Sequence, residues 1–174
     1  MRHRTLTRLV AAIAVAVAGA AHQTITHRPI TSGGPPPAGE VMVVVTKIVD
    51  GDTVHLAGYP HAVRLIGIDA PESTTLRYGH TQCGGHEAGD HLTSLLTGHR
   101  VRIELDRQQT DRYGRTLAYL WDGDQLVNLE MVTDGYAKAV AYPPNLAHQA
   151  AFVAADRAAA GAGRGLWASC PDGA

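Results

Sequence analysis

A surplus of positive charge is missing from this 174-residue sequence: 15 Lys+Arg stand against 16 Asp+Glu, a formal net charge of −1. That excludes a protein that grips nucleic acid through overall basicity and leaves a local patch as the electrostatic route to such a partner. Cysteine is scarce, with only Cys83 and Cys170 and no Cys-x-x-Cys pair, so a thiolate zinc site is not supported. His86-Glu87 with His91 has the look of a zinc motif, but its histidines are five apart and one helical face needs four. The apolar run 9–20, LVAAIAVAVAGA, has 12 residues, short of the roughly 20 that span a bilayer. There are no internal repeats. The length suits one domain with a small core.

What is present begins with an export signature. MRHRTLTR is a basic head, the apolar run follows, and Ala18-Gly19-Ala20 fits a small-residue cleavage site, so residues 1–21 read as a signal peptide. The alternative is an uncleaved anchor, the one way a membrane would enter. Loss of Arg2, Arg4 and Arg8 leaves 12 of the 15 Lys+Arg against 16 Asp+Glu, a net charge near −4. Residues 22–40 contain Thr31-Ser32-Gly33-Gly34-Pro35-Pro36-Pro37, a linker composition unable to build a core. The folded domain is expected over 41–174. An even cysteine count in an exported chain favours a Cys83–Cys170 disulfide, with two buried thiols as the alternative.

The stretch 41–72, VMVVVTKIVDGDTVHLAGYPHAVRLIGIDAPE, holds three apolar runs separated by two turn signals. Asp50-Gly51 predicts a tight turn of type I′ and 57–60, Ala-Gly-Tyr-Pro, the second break. The reading is a meander of strands 41–49, 53–56 and 62–68, the first continuously apolar as if covered on both faces. Asp52 then falls just past the first turn, and Asp69 and Glu72 just past the third strand. A twisted meander brings those ends together as a carboxylate cluster, with Arg64 in the third strand able to point at it. Carboxylates beside a guanidinium suggest a metal ion and a phosphate.

Further along, 87–96 predicts a helix with Ala88, Leu92, Leu95 and Leu96 on one side. Residues 100–105 alternate, with Val101, Ile103 and Leu105 inward. Strands at 116–120 and 125–127 flank Asp122-Gly123, a short helix covers 129–133, and 136–140 is extended. Helical spacing resumes after Asn145, a plausible N-cap, and ends at the glycines of 161–165. Arg100, Arg102, Arg107, Arg112 and Arg115 fall within 16 residues and supply the local positive patch. The pattern predicts an α+β, mainly β chain: a five-stranded OB-fold barrel with about three helices.

DGDTV at 50–54, RLIGIDAPE at 64–72 and DRYGRTLAY at 111–119 resemble, in order and spacing, the staphylococcal-nuclease-like (thermonuclease) family, and the resemblance runs from about Val41 to Trp167. It implies the same OB-fold. It also implies calcium held by Asp52, Asp69 and the main-chain carbonyl of Ala70, with Glu72 reaching the ion through water and acting as general base. Arg64 and Arg115 match the family arginines that clamp the scissile phosphate. Arg112, Tyr113 and Tyr142 match positions around the nucleotide's terminal phosphate and base. Glu104 and His148 match a structural pair joining a strand to the last helix. Two departures stand out: Val140 replaces a family tyrosine, and Ala70 replaces a frequent threonine.

The expected function is therefore a secreted, calcium-dependent, monomeric nuclease that hydrolyses DNA and RNA to 3′-phosphate products, without a stable protein partner. The alternative is a non-catalytic OB-fold module that binds nucleic acid or protein. The chain keeps Asp52, Arg64, Asp69, Glu72 and Arg115 together, which favours the enzyme.

Overall fold

The computed structural model describes residues 41–74 and 79–170. The proposed signal peptide and linker lie outside the described residues. Strands β1 (Met42–Asp50), β2 (Thr53–Leu56), β3 (Val63–Leu65), β5 (Arg100–Glu104), β6 (Thr116–Asp122) and β7 (Gln125–Leu126) form one sheet in the order β3-β2-β1-β5-β6-β7. β3 also pairs in parallel with β6, Arg64 opposite Leu117, so the sheet bends round and its first and fifth positions meet. Two short strands, β4 (Ile68–Asp69) and β8 (Lys138–Ala139), make a second ladder. Helices α1 (Gly85–Leu96), α2 (Val127–Thr133), α3 (Gln149–Ala162) and the single turn α4 (Leu166–Ser169) complete an OB-like, mainly β architecture.

The core is aliphatic. Val54, Val63, Leu65, Ile68, Val101 and Leu120 come from the sheet, Leu92 and Leu96 from α1, Met131 from α2 and Phe152 from α3. Ala88, Leu92 and Leu96 are buried on one side of α1, as the spacing predicts, because positions three and four apart share a helical face. Asn128, fully buried, accepts from the Leu120 N–H and donates to the carbonyls of Ile66 and Ala118, tying α2 to the sheet.

Several local expectations are corrected. The first turn is centred on Gly51-Asp52, with Asp50 paired to Thr53, so Asp52 lies in the turn and not after it. Gly51 does not have the positive φ of a type I′ turn; it is glycine because a Cβ there would sit 2.7 Å from the Cβ atoms of both Ala70 and Ala88. β1 is not covered on both faces: Val44 is exposed by ordinary alternation with buried Val43, and Val49 is exposed at the register shift between Ile48 and Asp50. The third strand breaks at Gly67, whose φ of 82° and close approach to the Phe152 ring redirect the chain into β4. Leu105 is exposed beyond the end of β5. Asn145 is not a helix cap; α3 starts at Gln149 with His148 before it, runs through Gly161 and ends at Gly163 in the left-handed conformation.

The Cys83–Cys170 disulfide is formed, with Cα atoms 5.8 Å apart. The Glu104–His148 pair is also present, Oε1 to Nε2 at 2.9 Å, and Glu104 accepts a second hydrogen bond from the Trp121 indole at 2.7 Å. Among the described residues no helix is long and apolar enough to cross a membrane.

Candidate active site

Asp52 is placed by the tightness of its turn. Its carbonyl accepts from the Leu65 N–H at 2.8 Å, which ties the turn to β3. Its carboxylate is nearly buried and held at both oxygens: Oδ1 accepts from the Thr53 hydroxyl at 2.9 Å, and Oδ2 from the Ala70 N–H at 2.9 Å. Arg64 Nη1 lies 2.8 Å from that same Oδ2. The guanidinium also donates to the carbonyls of Leu65 and Ile68, and its Nη2 bonds Asp69 Oδ1 at 2.8 Å. The Arg64 side chain is only 12% exposed, so this strand arginine is turned into the molecule and not out to solvent. One fixed, planar cation thus bridges two carboxylates from separate turns.

The charge balance of this cluster is negative. Asp50 adds a third carboxylate beside Asp52, against the single guanidinium. Burial pushes the Asp52 carboxyl up to about 7; Arg64 opposes that and Asp50 reinforces it. Among the described residues no three His, Cys, Asp or Glu side chains come together as a ready-made metal site. What does come together is two carboxylates, Asp52 and Asp69, on one guanidinium, with the Ala70 N–H on Asp52. An all-oxygen set carrying surplus negative charge fits a hard divalent cation and does not fit a soft one.

A cleft of about 780 Å³ opens beside this cluster. Arg64, Asp69 and Glu72 line it together with Arg112, Tyr113 and Arg115, from the loop between β5 and β6, and with Tyr142, after β8. The two arginines and the acidic residues therefore share one cavity although 51 positions separate Arg64 from Arg115. The parallel β3–β6 pairing is the cause: Val63 pairs with Thr116, so Arg64 and Arg115 leave adjacent strands near the same end. Tyr113 is largely exposed, with the Arg112 and Arg115 guanidinium carbons 4.8 and 5.6 Å from its ring centroid. Such a ring, backed by cations, offers a base a stacking face.

Three positioning residues escaped the reading of the sequence. Asp111 accepts from the N–H groups of Tyr113 and Arg115 and from Arg115 Nε at 2.7 Å, so it both shapes the loop and aims the guanidinium. Burial alone would raise its carboxyl, but the Arg115 and Tyr113 bonds outweigh that and hold it below the ordinary range. The four-residue spacing from Asp111 to Arg115, with Gly114 at φ 80°, was the available signal. Asn145, buried, accepts from Gln108 N–H at 2.8 Å and donates to Gln108 carbonyl at 2.7 Å, pinning the Tyr142 loop to the arginine loop. No local pattern announces a bond between a side chain and a backbone 37 positions away. The third, Gln82, contacts the Glu72 main chain.

Residues 62–169 match the family described as Staphylococcal nuclease homologue. The chain is 36% identical over 143 residues to a thermonuclease of Staphylococcus hyicus, covering 81% of this chain and 84% of that one. It is 43% identical over 104 residues to a thermonuclease of Staphylococcus intermedius, covering 59% of this chain and 61% of that protein. An uncharacterized endonuclease of Haemophilus influenzae is 37% identical over 127 residues, 71% of this chain and 65% of that one. With the acidic turn, the bridging arginine and the shared cleft in place, these matches identify the chain as a member of the staphylococcal nuclease family, a hydrolase of phosphodiester bonds.

Proposed function

We propose that this chain is an exported, calcium-dependent nuclease that cuts both DNA and RNA and leaves 3′-phosphate ends. The observation that carries the reading is Arg64 bridging Asp52 and Asp69 at the edge of a cleft that Glu72 and Arg115 also line. Asp52, Asp69 and the Ala70 carbonyl are the residues that would hold calcium. When bound, the ion acts as a Lewis acid on a phosphoryl oxygen.

The chain's own groups supply the rest. Arg64 and Arg115 present paired N–H donors to the scissile phosphate from two sides and match the charge that builds on its equatorial oxygens. Glu72 follows Pro71, whose fixed φ limits the backbone there, and it takes a proton from the attacking water. The water oxygen bonds to phosphorus as the P–O5′ bond breaks; the 5′-oxygen leaves and gains a proton from solvent. Arg112, Tyr113 and Tyr142 hold the flanking phosphate and base. None of these steps requires a ribose 2′-hydroxyl, which is why both nucleic acids serve.

The single disulfide in a two-cysteine chain and the basic-then-apolar head support export, since such bonds persist in oxidising compartments.

The full chain is incubated with single-stranded DNA and with RNA, in calcium or in chelator, followed by end-group analysis. Calcium-dependent cleavage to 3′-phosphates, falling about 10²–10⁴-fold in Glu72→Gln, is expected. Arg115→Gly should fall comparably. Undiminished cleavage in both variants would trace the activity to a contaminant and end the proposal. Mass spectrometry of culture supernatant should find a chain starting near Ala21 or His22.

A further inference from the structure

We infer that Gln82 is a positioning residue for Glu72, and that the Cys83–Cys170 disulfide fixes Gln82 where it can act. The inference rests on the reading of Glu72 as the base. Glu72 sits at the start of a loop, and a carboxylate on a loop is useful only if its backbone is held. Gln82 holds it twice: its Oε1 accepts from the Glu72 N–H at 2.8 Å, and its own N–H donates to the Glu72 carbonyl at 3.0 Å. Both main-chain polar groups of Glu72 are thereby engaged by one residue ten positions away.

Gln82 is itself exposed, so packing does not fix it; its neighbours do. Cys83 is bonded to Cys170, which is buried and hydrogen-bonds through its N–H to the Leu166 carbonyl at 2.9 Å. Gly84, at φ 80°, lies so close to Leu166 that a Cβ would meet its Cδ2 at 2.4 Å. Gly85 donates to the Gln82 carbonyl at 3.1 Å, and a Cβ on Gly85 would meet the Glu72 carbonyl oxygen at 2.3 Å. The start of α1 is thus seated directly on the Glu72 backbone, and the C-terminal turn holds that seat by one covalent and one packing contact. Leu166 in turn donates to the Gly135 carbonyl at 3.0 Å, so the brace reaches the turn that follows α2. Loosening the disulfide frees the segment carrying Gln82 and lets the base drift from its line of attack.

The test uses the full chain with Gln82→Ala, Gln82→Glu, Cys83→Ser/Cys170→Ser and Glu72→Gln. Gln82→Ala should lower kcat about fivefold, the size of one lost hydrogen bond, while KM stays within about twofold. Exchange of the Glu72 amide hydrogen should quicken by about the same factor, a readout independent of turnover. Gln82→Glu keeps an acceptor at the same reach and should restore both. In the cysteine-free variant, assayed well below its melting temperature, kcat should fall, and adding Gln82→Ala should cost less than it does with the bond intact. Undiminished activity in Glu72→Gln overturns the reading beneath this one. A dead Glu72→Gln beside an unaffected Gln82→Ala, or full activity in the cysteine-free chain, overturns this inference alone.

Discussion

Replacing Asp52 by asparagine should flatten the dependence of stability on pH. In the folded chain burial lifts this carboxyl from its ordinary 3.8 to about 7, even with Arg64 2.8 Å away. Between those values the folded state holds a proton that the unfolded state has lost. Stability from this group is therefore fully present below about pH 4 and is lost as pH rises through about 7. The interval is worth about 4 kcal/mol, since each pH unit corresponds to about 1.4 kcal/mol. At roughly 3 °C per kcal/mol for a domain of this size, this group alone should make the metal-free chain melt roughly 12 °C lower at pH 8 than at pH 4. An asparagine side chain cannot ionise, so Asp52→Asn in chelator should hold a near-constant contribution over that window. On the proposed reading calcium should reverse the trend in the unaltered chain: an ion held by the ionised carboxylate would stabilise more strongly from about pH 5 to about pH 7 and then level off. Thermal melts of both proteins at five pH values from about 4 to about 8, with chelator and with calcium, measure all four curves. Parallel curves for the two proteins in chelator would refute the assignment of a raised Asp52 carboxyl.

Two further substitutions test the frame around the cleft. Asn145→Ala strips partners from both the N–H and the carbonyl of Gln108 and should cost about 2–3 kcal/mol by denaturant titration, with weakened binding of a nucleotide in the cleft. Gly51→Ala places a methyl 2.7 Å from those of Ala70 and Ala88 and should cost about 1–3 kcal/mol; because Ala70 must move, calcium affinity by titration calorimetry should weaken as well.

The residues proposed to touch a phosphate or a cation stand out in the sequence because each is a charged group bracketed by apolar strand or turn residues. Asp52, Arg64, Asp69 and Glu72 stand out of 41–72 for that reason, and the cleft contains Arg64, Asp69 and Glu72 as expected. The residues that aim them were not legible. Asn145 and Gln82 act through backbone atoms, and a backbone partner has no letter in a sequence; Asp111 bonds the Arg115 side chain as well as the loop's N–H groups, and only its spacing to Arg115 hinted at that. The third strand read as continuous because VRLIGID alternates well enough for a single run; Gly67 is the break, and only the Phe152 ring beneath it makes the bend necessary. Gly51 was read as a glycine of dihedral freedom and is one of clearance. Periodicity reports which face a residue takes, and it is silent on how near a helix passes to a turn.

The parallel pairing of β3 with β6 has a bearing on when this molecule becomes dangerous. It joins segments about fifty positions apart, and such distant joins are late and slow to close in a folding chain. Until it closes, Arg64 and Arg115 belong to separate pieces of polypeptide, and the cleft that both line does not exist. A chain in which that join is still open has no complete cleft, so the hydrolytic site arises only with the fold. The lesion it can inflict is switched on by its own final topology.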